Sequence, residues 1–226
     1  MCGRTSQAMS LDQLLKRFHI DSNESLEWLV KYNVAPSLNV PIVIQAPEEK
    51  PRIRLMKWGL VPPWAKEKKP QILVNLRAET LLGRPAFKKY LATSRCIMPV
   101  DGFFEWQTEK LPKGKLRKIP YRYQPRGEGG IFGLGAVYEG ETFCLITTEP
   151  NELVSQVCDR MPVIIPEESE AAWLNPETKQ ADYVTCLAPY PAREMIAYEV
   201  SSVVNSGKID TPECIAPATV HRTCKS

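Results

Sequence analysis

Residues 131–147 read IFGLGAVYEGETFCLIT, and this stretch decides the fold class. Its two apolar segments, Ile131–Tyr138 and Thr142–Thr147, flank the turn-forming triplet Glu139-Gly140-Glu141. Two such segments on either side of a glycine-containing turn predict a β-hairpin, in which the strands are antiparallel. We therefore expect a fold in which antiparallel pairing predominates.

Further predicted elements flank this hairpin along the chain. Strands are predicted at Pro41–Gln45, Ile53–Trp58, Arg95–Val100, Gly102–Trp106, Ile119–Tyr123, Met161–Ile165 and Tyr198–Val204. Helices are predicted at Ser10–His19, Ala78–Leu82, Pro150–Val157, Glu167–Leu174 and Pro191–Ile196, the first from a capping box at Ser10 and Gln13. Because most connections are too short for βαβ crossovers, these elements predict an α+β fold with mixed, largely antiparallel sheets.

Length and composition indicate one globular domain. The chain has 226 residues, of which 43% are hydrophobic and 24% charged, so we expect a single domain over residues 2–226 with a loose tail of about a dozen residues. No apolar run reaches the roughly 18–20 residues of a membrane span, and the N-terminus lacks the apolar core of a secretion signal. These features predict a cytoplasmic, nucleoid-associated protein without membrane contact.

The cysteines and histidines do not form a metal-binding pattern. Seven cysteines occur without any C-x-x-C spacing, and neither of the two histidines stands at zinc-ligand spacing from a cysteine pair. We expect reduced, mostly buried thiols, no metal and no cofactor.

Positive charge is clustered, although the net charge is only +3. Seven basic residues and no acidic one lie between Lys110 and Arg126, and a second basic stretch includes Arg77 and Arg84. Such clustering is compatible with a face that binds phosphates, whereas residues 110–118 alone are also typical of a solvated lysine-rich hairpin.

Cys2 is the first candidate for chemistry. If Met1 is removed, Cys2 carries a free α-amine beside its thiol, and such a 1,2-aminothiol condenses with aldehydes to form a five-membered ring. The reference pKa values are about 7.7–8.0 for the amine and about 8.5 for the thiol, so both groups are available near neutral pH. The alternative is an ordinary buried cysteine.

Two polar residues in apolar segments are further candidates. Asn75 can hold an amine through its amide oxygen, or it can cap the helix that follows. Glu105 lies among Phe103, Phe104 and Trp106. Alternation places it on the face of Phe103, where burial would raise its pKa toward the range that suits proton transfer. The alternative for Glu105 is a structural ion pair with a lysine.

Two other segments bear on DNA contacts. In Cys158-Asp159-Arg160-Met161-Pro162, Arg160 can bind a phosphate or pair with Asp159. Trp58 and Trp64 flank a proline-rich loop, where exposed indoles would stack on unpaired bases and buried ones would belong to the core.

Seven segments, in order along the chain, together resemble the SRAP (SOS-response-associated peptidase) family. They are Met1-Cys2-Gly3-Arg4, Tyr32-Asn33-Val34-Ala35-Pro36, Trp58-Gly59-Leu60-Val61-Pro62, Asn75-Leu76-Arg77-Ala78-Glu79-Thr80, Asp101-Gly102-Phe103-Phe104-Glu105-Trp106, Asp159-Arg160-Met161-Pro162 and Val200-Ser201-Ser202-Val203-Val204-Asn205. The resemblance implies a barrel-like core with peripheral helices. It also implies a covalent thiazolidine between Cys2 and an abasic site in single-stranded DNA, which shields the lesion.

The resemblance also implies roles for single residues. Asn75 would orient the amine and Glu105 would move protons, while Arg4, Arg77 and Arg160 would hold phosphates. The tryptophan loop with Trp64 would accommodate a bent strand. Removal of Met1 by the protein itself, a lyase activity, a monomeric state and replication-fork proteins as partners are further expectations.

Position 158 departs from the family pattern, because the family typically has histidine there and this chain has Cys158. A thiol exchanges protons less readily than imidazole at neutral pH, so we expect crosslinking to persist while reversal or strand scission is altered. Two other classes of function stay open at this point. They are a peptidase or amidohydrolase with an N-terminal cysteine nucleophile, and a non-covalent binder of single-stranded DNA.

Overall fold

The computed structural model describes residues 2–21, 27–63, 72–127 and 129–218. The strands within these ranges are β1 (Thr5–Gln7), β2 (Lys31–Val34), β3 (Asn39–Ile44), β4 (Arg52–Trp58), β5 (Asn75–Arg77), β6 (Arg95–Val100), β7 (Gly102–Lys110), β8 (Leu116–Pro125), β9 (Phe132–Glu139), β10 (Thr142–Thr148), β11 (Met161–Pro162), β12 (Ile164–Ile165) and β13 (Met195–Glu199). The α-helices there are α1 (Leu11–Arg17), α2 (Ala78–Gly83), α3 (Pro85–Thr93), α4 (Glu170–Leu174) and α5 (Gln180–Val184).

Five strands close into a barrel. Strand β4 pairs with β3, β3 with β6, β6 with β9, β9 with β10, and β10 returns to β4. Only the β10–β4 pairing is parallel, so the barrel is mixed and largely antiparallel. Strands β9 and β10 are the two arms of the predicted hairpin, and the turn between them contains Gly140 at a φ of 57°. The expected barrel-like core is therefore confirmed.

A second sheet lies beside the barrel and is antiparallel throughout. Its strand order is β13-β8-β7-β1-β2. Strands β7 and β8 form a long hairpin through a turn at Pro112–Gly114, inside the stretch 110–118 whose sequence is typical of a lysine-rich hairpin. The mixed barrel, the antiparallel second sheet and the surrounding helices make this an α+β fold, as predicted.

Alternation along the barrel strands divides the buried side chains between two cores. Val43 and Ile97 belong to a helix-side core, in which the barrel packs against all five described α-helices. Ile42 and Met98 belong to a barrel-side core, which joins the barrel to the second sheet and includes Cys2. Fully burying a side chain of this size contributes about 1.5–3 kcal/mol, so both cores stabilise the barrel wall that they share.

The first helix forms as the sequence predicts. The Ser10 hydroxyl accepts a hydrogen bond from the backbone N–H of Gln13, and the Gln13 side chain accepts one from the N–H of Ser10. This capping box fixes the start of α1, and the buried Leu14 anchors the helix to the helix-side core.

Two predicted helices are wrong. Between Pro150 and Val157 only a 3₁₀ turn forms, at Val154–Gln156, because Asn151 Oδ1 accepts the N–H groups of Leu153 and Val154 and closes a local turn. The prediction at 191–196 also fails, because only Ala192–Glu194 turns as a 3₁₀ helix before Met195 enters β13 and pairs with β8.

Other boundaries differ from the prediction as well. The last strand is Met195–Glu199, not 198–204, since Ser201 caps a 3₁₀ turn over Ser202–Asn205. The predicted strand 161–165 divides into β11 and β12 at Val163, whose backbone bonds to strands on both sides, Ile146 in β10 and Gly135 in β9. Helices α3 and α5 were not predicted.

The chain after β13 is attached to the second sheet as far as it is described. The Tyr198 hydroxyl donates to the carbonyl of Ile215, and the N–H of Ala218 donates to the carbonyl of Glu199. The rest of the predicted tail lies outside the described residues. No helix in the described ranges has the length and apolarity needed to cross a membrane.

Candidate functional site

Cys2 lies just ahead of β1 with its side chain completely buried in the barrel-side core. The Asn75 side chain contacts it directly, because Asn75 Nδ2 donates to the backbone carbonyl of Cys2 at 2.6 Å. Strand β5 positions Asn75 by running parallel to β10, with Asn75 opposite Leu145. Asn75 does not cap a helix, since Arg77 occupies the N-cap of α2 and the cap has no side-chain hydrogen bond.

The amide oxygen of Asn75 is unused. Its Oδ1 atom is buried and has no hydrogen-bond partner among the described residues. Buried polar atoms are nearly always paired in native structures, so an unpaired acceptor beside Cys2 is a feature that calls for a ligand or a functional reason.

Glu105 lies on β7, on the side of the strand that faces this cluster. Its neighbour on the same face, Phe103, belongs to the barrel-side core, whereas Phe104 and Trp106 pack in a separate cluster. The predicted alternation is therefore confirmed. Glu105 itself is only 4% exposed.

Burial is the largest cause of raised pKa values at this site. Burial raises the pKa of the Glu105 carboxyl, and the hydrogen bond with the Cys158 thiol opposes that rise. Burial, followed by the negative charge of Glu105, holds the pKa of the Cys2 thiol well above its usual value. The Cys2 thiol is therefore protonated at neutral pH, and Glu105 is near enough for its charge to act on that thiol.

Cys158 completes this cluster from a separate segment. It follows the 3₁₀ turn at Val154–Gln156, and its backbone N–H donates to the carbonyl of Val154. Burial raises the pKa of its thiol, and the charge of Glu105 adds to the effect. The structure thus brings together Cys2, Asn75, Glu105 and Cys158 from four separate parts of the chain.

Tyr123 belongs to the same cluster, although it is not among the candidate residues predicted from the sequence. It lies on β8 directly opposite Phe103, and the two rings stack with centroids 5.0 Å apart. Burial, then the charges of Glu105 and Cys158, raise the pKa of its hydroxyl. The hairpin pattern of residues 110–118 was the available signal, because folding the chain there places Tyr123 near Phe103.

The four predicted arginines have different surroundings. Arg160 is buried and forms a bidentate ion pair with Glu79, at 2.8 and 2.9 Å, and it also donates to the carbonyl of Thr147. This pair, rather than the alternative pair with Asp159, occupies the Arg160 guanidinium and lowers the pKa of the Glu79 carboxyl.

Arg4 is also engaged within the protein. Its Nη1 atom donates to Asn33 Oδ1 at 2.6 Å and to the carbonyl of Val204 at 2.8 Å, and its guanidinium lies 5.8 Å from the centre of the Trp106 ring. Arg77 and Arg84, in contrast, are exposed at the two ends of α2. Their roles in phosphate binding stay predictions.

Of the two tryptophans that flank the proline-rich loop, the structure describes only one. Trp58 is fully buried and stacks on Phe143, so it belongs to the core. Trp64 lies outside the described residues. Among those that are described, no cluster of three or more His, Cys, Asp or Glu side chains is arranged to hold a metal ion. The six cysteines within the described ranges are free thiols, and five of them are buried.

Comparison with known proteins identifies the family. The family profile described as SOS response associated peptidase (SRAP) matches residues 1–207. The chain belongs to the SRAP family. Among its relatives, abasic site processing protein YoqW of Bacillus subtilis (strain 168) is 41% identical over 227 residues, which cover 95% of this chain and 99% of that protein. Abasic site processing protein HMCES of Gallus gallus is 28% identical, over 96% and 78% of the two chains.

Two solved structures share the fold. A crystal structure of a protein from Bacteroides thetaiotaomicron is similar with a TM-score of 0.80 and 26% identity, covering 96% of this SRAP chain and all of that one. A phage-related protein from Bordetella bronchiseptica, at 23% identity and a TM-score of 0.71, shares the fold.

Proposed function

We propose that this SRAP protein processes abasic sites in single-stranded DNA by joining the abasic aldehyde to Cys2 as a thiazolidine. The observation that carries the proposal is the meeting of Cys2 with Asn75 and Glu105, in which Asn75 keeps a buried, unused amide oxygen. An amide oxygen at this position accepts an N–H of the α-amine, which exists once Met1 is removed.

The reaction divides into two additions. The amine of Cys2 adds to the aldehyde carbon to give a carbinolamine, which loses water to form an iminium ion. The sulfur then adds to the same carbon, and the thiol proton passes to the Glu105 carboxylate. Water is the only product released. Glu105 suits both steps, because its raised pKa lets the neutral acid assist loss of water and the carboxylate accept the thiol proton.

Removal of Met1 has a second consequence in this proposal. Cys2 is completely buried in the chain that retains Met1, so its amine and thiol must become accessible as well as free before an aldehyde reaches them. Cleavage by the protein itself and cleavage by an aminopeptidase both create the free amine.

The exposed arginines Arg77 and Arg84 supply the phosphate contacts in this proposal, with Arg4 and Arg160 shaping the site behind them. Burial of the linkage would protect the lesion from nucleases and from β-elimination. A lyase activity on the trapped sugar, a monomeric state, nucleoid association and recruitment by replication-fork proteins complete the proposal.

The test is incubation of the protein lacking Met1 with a single-stranded oligonucleotide that carries one abasic site. We expect an adduct that survives denaturation without borohydride, and we expect none with Cys2→Ala or with residues added ahead of Cys2. Cys2→Ser is the matched control, because it keeps the amine and loses the sulfur. It should give an adduct only when borohydride reduces the Schiff base.

Three other results would each contradict the proposal. An adduct that persists in Cys2→Ala excludes the aminothiol. Turnover of a peptide or amide without DNA would favour an N-terminal-cysteine peptidase or amidohydrolase. Steeply salt-dependent binding without preference for abasic DNA would favour a non-covalent binder of single strands.

A further inference from the structure

Tyr123 carries a buried hydroxyl that the reaction above does not use. The side chain is fully buried in the same core as Cys2, and its Oη atom has no hydrogen-bond partner among the described residues. Register explains where it lies. Tyr123 is opposite Phe103 and therefore diagonal to Glu105, which is two residues further along the same face of β7.

A buried hydroxyl without a hydrogen-bond partner lowers the stability of the folded protein, so its presence suggests a function. Leaving a buried donor unsatisfied costs about 1–3 kcal/mol, and phenylalanine would fill the same space beside Phe103 without that cost. Asn75 Oδ1 is another buried polar atom of this cluster without a partner among the described residues. Together Asn75 Oδ1 and the Tyr123 hydroxyl offer an acceptor and a donor.

The two atoms suit different parts of the reaction. Asn75 Oδ1 can accept the N–H of the Cys2 amine, and the Tyr123 hydroxyl can donate to the aldehyde oxygen, on which negative charge develops as the amine adds. Burial and the charge of Glu105 raise the pKa of Tyr123, so the hydroxyl keeps its proton at neutral pH and acts as a donor. Glu105 cannot fill this place when it is ionised, because a carboxylate only accepts hydrogen bonds.

We propose that the Tyr123 hydroxyl donates a hydrogen bond to the aldehyde oxygen of the abasic sugar while the amine of Cys2 adds to the carbonyl carbon. This inference rests on the proposed function and adds a group to its site. The π electrons of the carbonyl move to that oxygen, which takes one proton from the amine and a second from the Glu105 carboxyl before it leaves as water. Tyr123 keeps its own proton throughout, so it stabilises charge and transfers none.

The decisive variant is Tyr123→Phe, compared with wild type and with Tyr121→Phe. The substitution keeps the ring stacked on Phe103 and removes only the oxygen. Tyr121 is the matched control, because it lies on the same strand and its hydroxyl has a partner outside the cluster, Gln107 Oε1 at 3.5 Å. Each protein, without Met1, reacts in excess with an abasic oligonucleotide, and the maximal rate and half-saturating concentration are measured at several pH values.

We expect Tyr123→Phe to lower the maximal rate of adduct formation about tenfold or more, with an unchanged half-saturating concentration. The melting temperature should be equal to or higher than that of wild type, because an unpaired hydroxyl is removed. The rate should fall by the same factor from pH 6 to pH 9, since Tyr123 does not ionise in that range. Tyr121→Phe should react like wild type.

Three results would overturn the inference. An unchanged rate in Tyr123→Phe denies the hydroxyl a role. A slower rate with a lower melting temperature or weaker DNA binding shows a structural role. A shift in the pH dependence shows that Tyr123 acts through Glu105 instead of on the substrate. If the wild type forms no adduct, the proposed function fails first, and that result is distinct from a loss confined to the variant.

Discussion

Two buried polar sites differ in how many of their polar atoms have hydrogen-bond partners. One is Arg95 in the helix-side core. The other is the Cys2 cluster in the barrel-side core, made of Cys2, Asn75, Glu105, Tyr123 and Cys158. The Arg95 guanidinium donates to the carbonyls of Trp173 at 2.6 Å, of Leu91 and of Asn175, and it lies 4.1 Å from the centre of the Tyr183 ring. These bonds tie α3, β6 and α4 together. Arg95 is therefore a structural element whose donors already have partners within the protein.

The Cys2 cluster is satisfied only in part. Asn75 uses its Nδ2 atom on the Cys2 carbonyl and leaves Oδ1 unpaired, and Tyr123 leaves its hydroxyl unpaired. A polar network that is only half satisfied is a cost to folding, and natural proteins keep such networks mainly where they have a use. We therefore propose that the Cys2 cluster is arranged for a substrate, whereas Arg95 is arranged for stability.

The largest expected effect comes from Glu105→Gln. It removes the group that moves protons and keeps its shape, so the rate of adduct formation should fall about 10²- to 10⁴-fold. Glu109→Gln is the control, since Glu109 lies on the same strand and pairs with Arg117 at the surface. Quenched-flow or gel kinetics measure both, and full activity in Glu105→Gln would contradict the assignment of Glu105.

The same substitution, Glu105→Gln, should make the folded protein more stable relative to wild type at higher pH. The pKa of Glu105 is raised in the folded protein, so its contribution is fully present below the unfolded pKa of about 4.3 and declines as the pH rises through the folded pKa. Glu105→Gln should therefore remove part of the decline in stability above that pH. Urea unfolding at several pH values checks this, and a steeper decline in the variant would be inconsistent with the buried position.

Arg95→Leu should affect stability and leave the chemistry intact. It removes every donor of a buried guanidinium and leaves several carbonyls unpaired, so the free energy of unfolding should fall by about 3–5 kcal/mol. Urea unfolding gives the value, and adduct formation at low temperature, where the variant is still folded, should keep the wild-type rate. A loss of less than about 1 kcal/mol would show that the buried hydrogen bonds of Arg95 do not stabilise the fold.

Cys158→His tests the role of position 158, on the exposed side of the Cys2 cluster. An imidazole beside Glu105 exchanges protons near neutral pH, so adduct yield should persist while release of the trapped DNA changes about tenfold. Gel assays of formation, and of transfer to a competing oligonucleotide, measure both rates. Unchanged trapping and release would remove any role for position 158.

The smallest expected effect belongs to Arg84→Ala. Arg84 is exposed between α2 and α3, so the loss of one phosphate contact should lower the salt slope of single-strand binding by about 0.7 and change stability by less than about 0.5 kcal/mol. Fluorescence anisotropy at several salt concentrations tests this. An unaltered slope would place the DNA path elsewhere.

Local signals predict the parts of the fold that depend on local interactions. The capping box at Ser10 and the hairpin around Gly140 form as predicted, because both are closed by neighbours in sequence. The predictions at 150–157 and 191–196 fail, because a side-chain turn at Asn151 and strand pairing at Met195 override helical periodicity. The closure of the barrel depends on the parallel pairing of β10 with β4, which no local signal predicts.

The site follows the same division. Alternation predicts that Glu105 shares a face with Phe103, and the structure confirms it. The meeting of Cys2 with Asn75 depends on β5 pairing with β10, so only the family resemblance connects them in the sequence. The pairing of Arg160 with Glu79 likewise depends on tertiary contacts.

Mass spectrometry of the DNA–protein adduct, after nuclease digestion and without reduction, tests the central claim most directly. We expect a peptide that begins at Cys2 and carries the abasic residue with the loss of one water, stable to denaturation. A modified peptide that still contains Met1, or an attachment at any other residue, would contradict it.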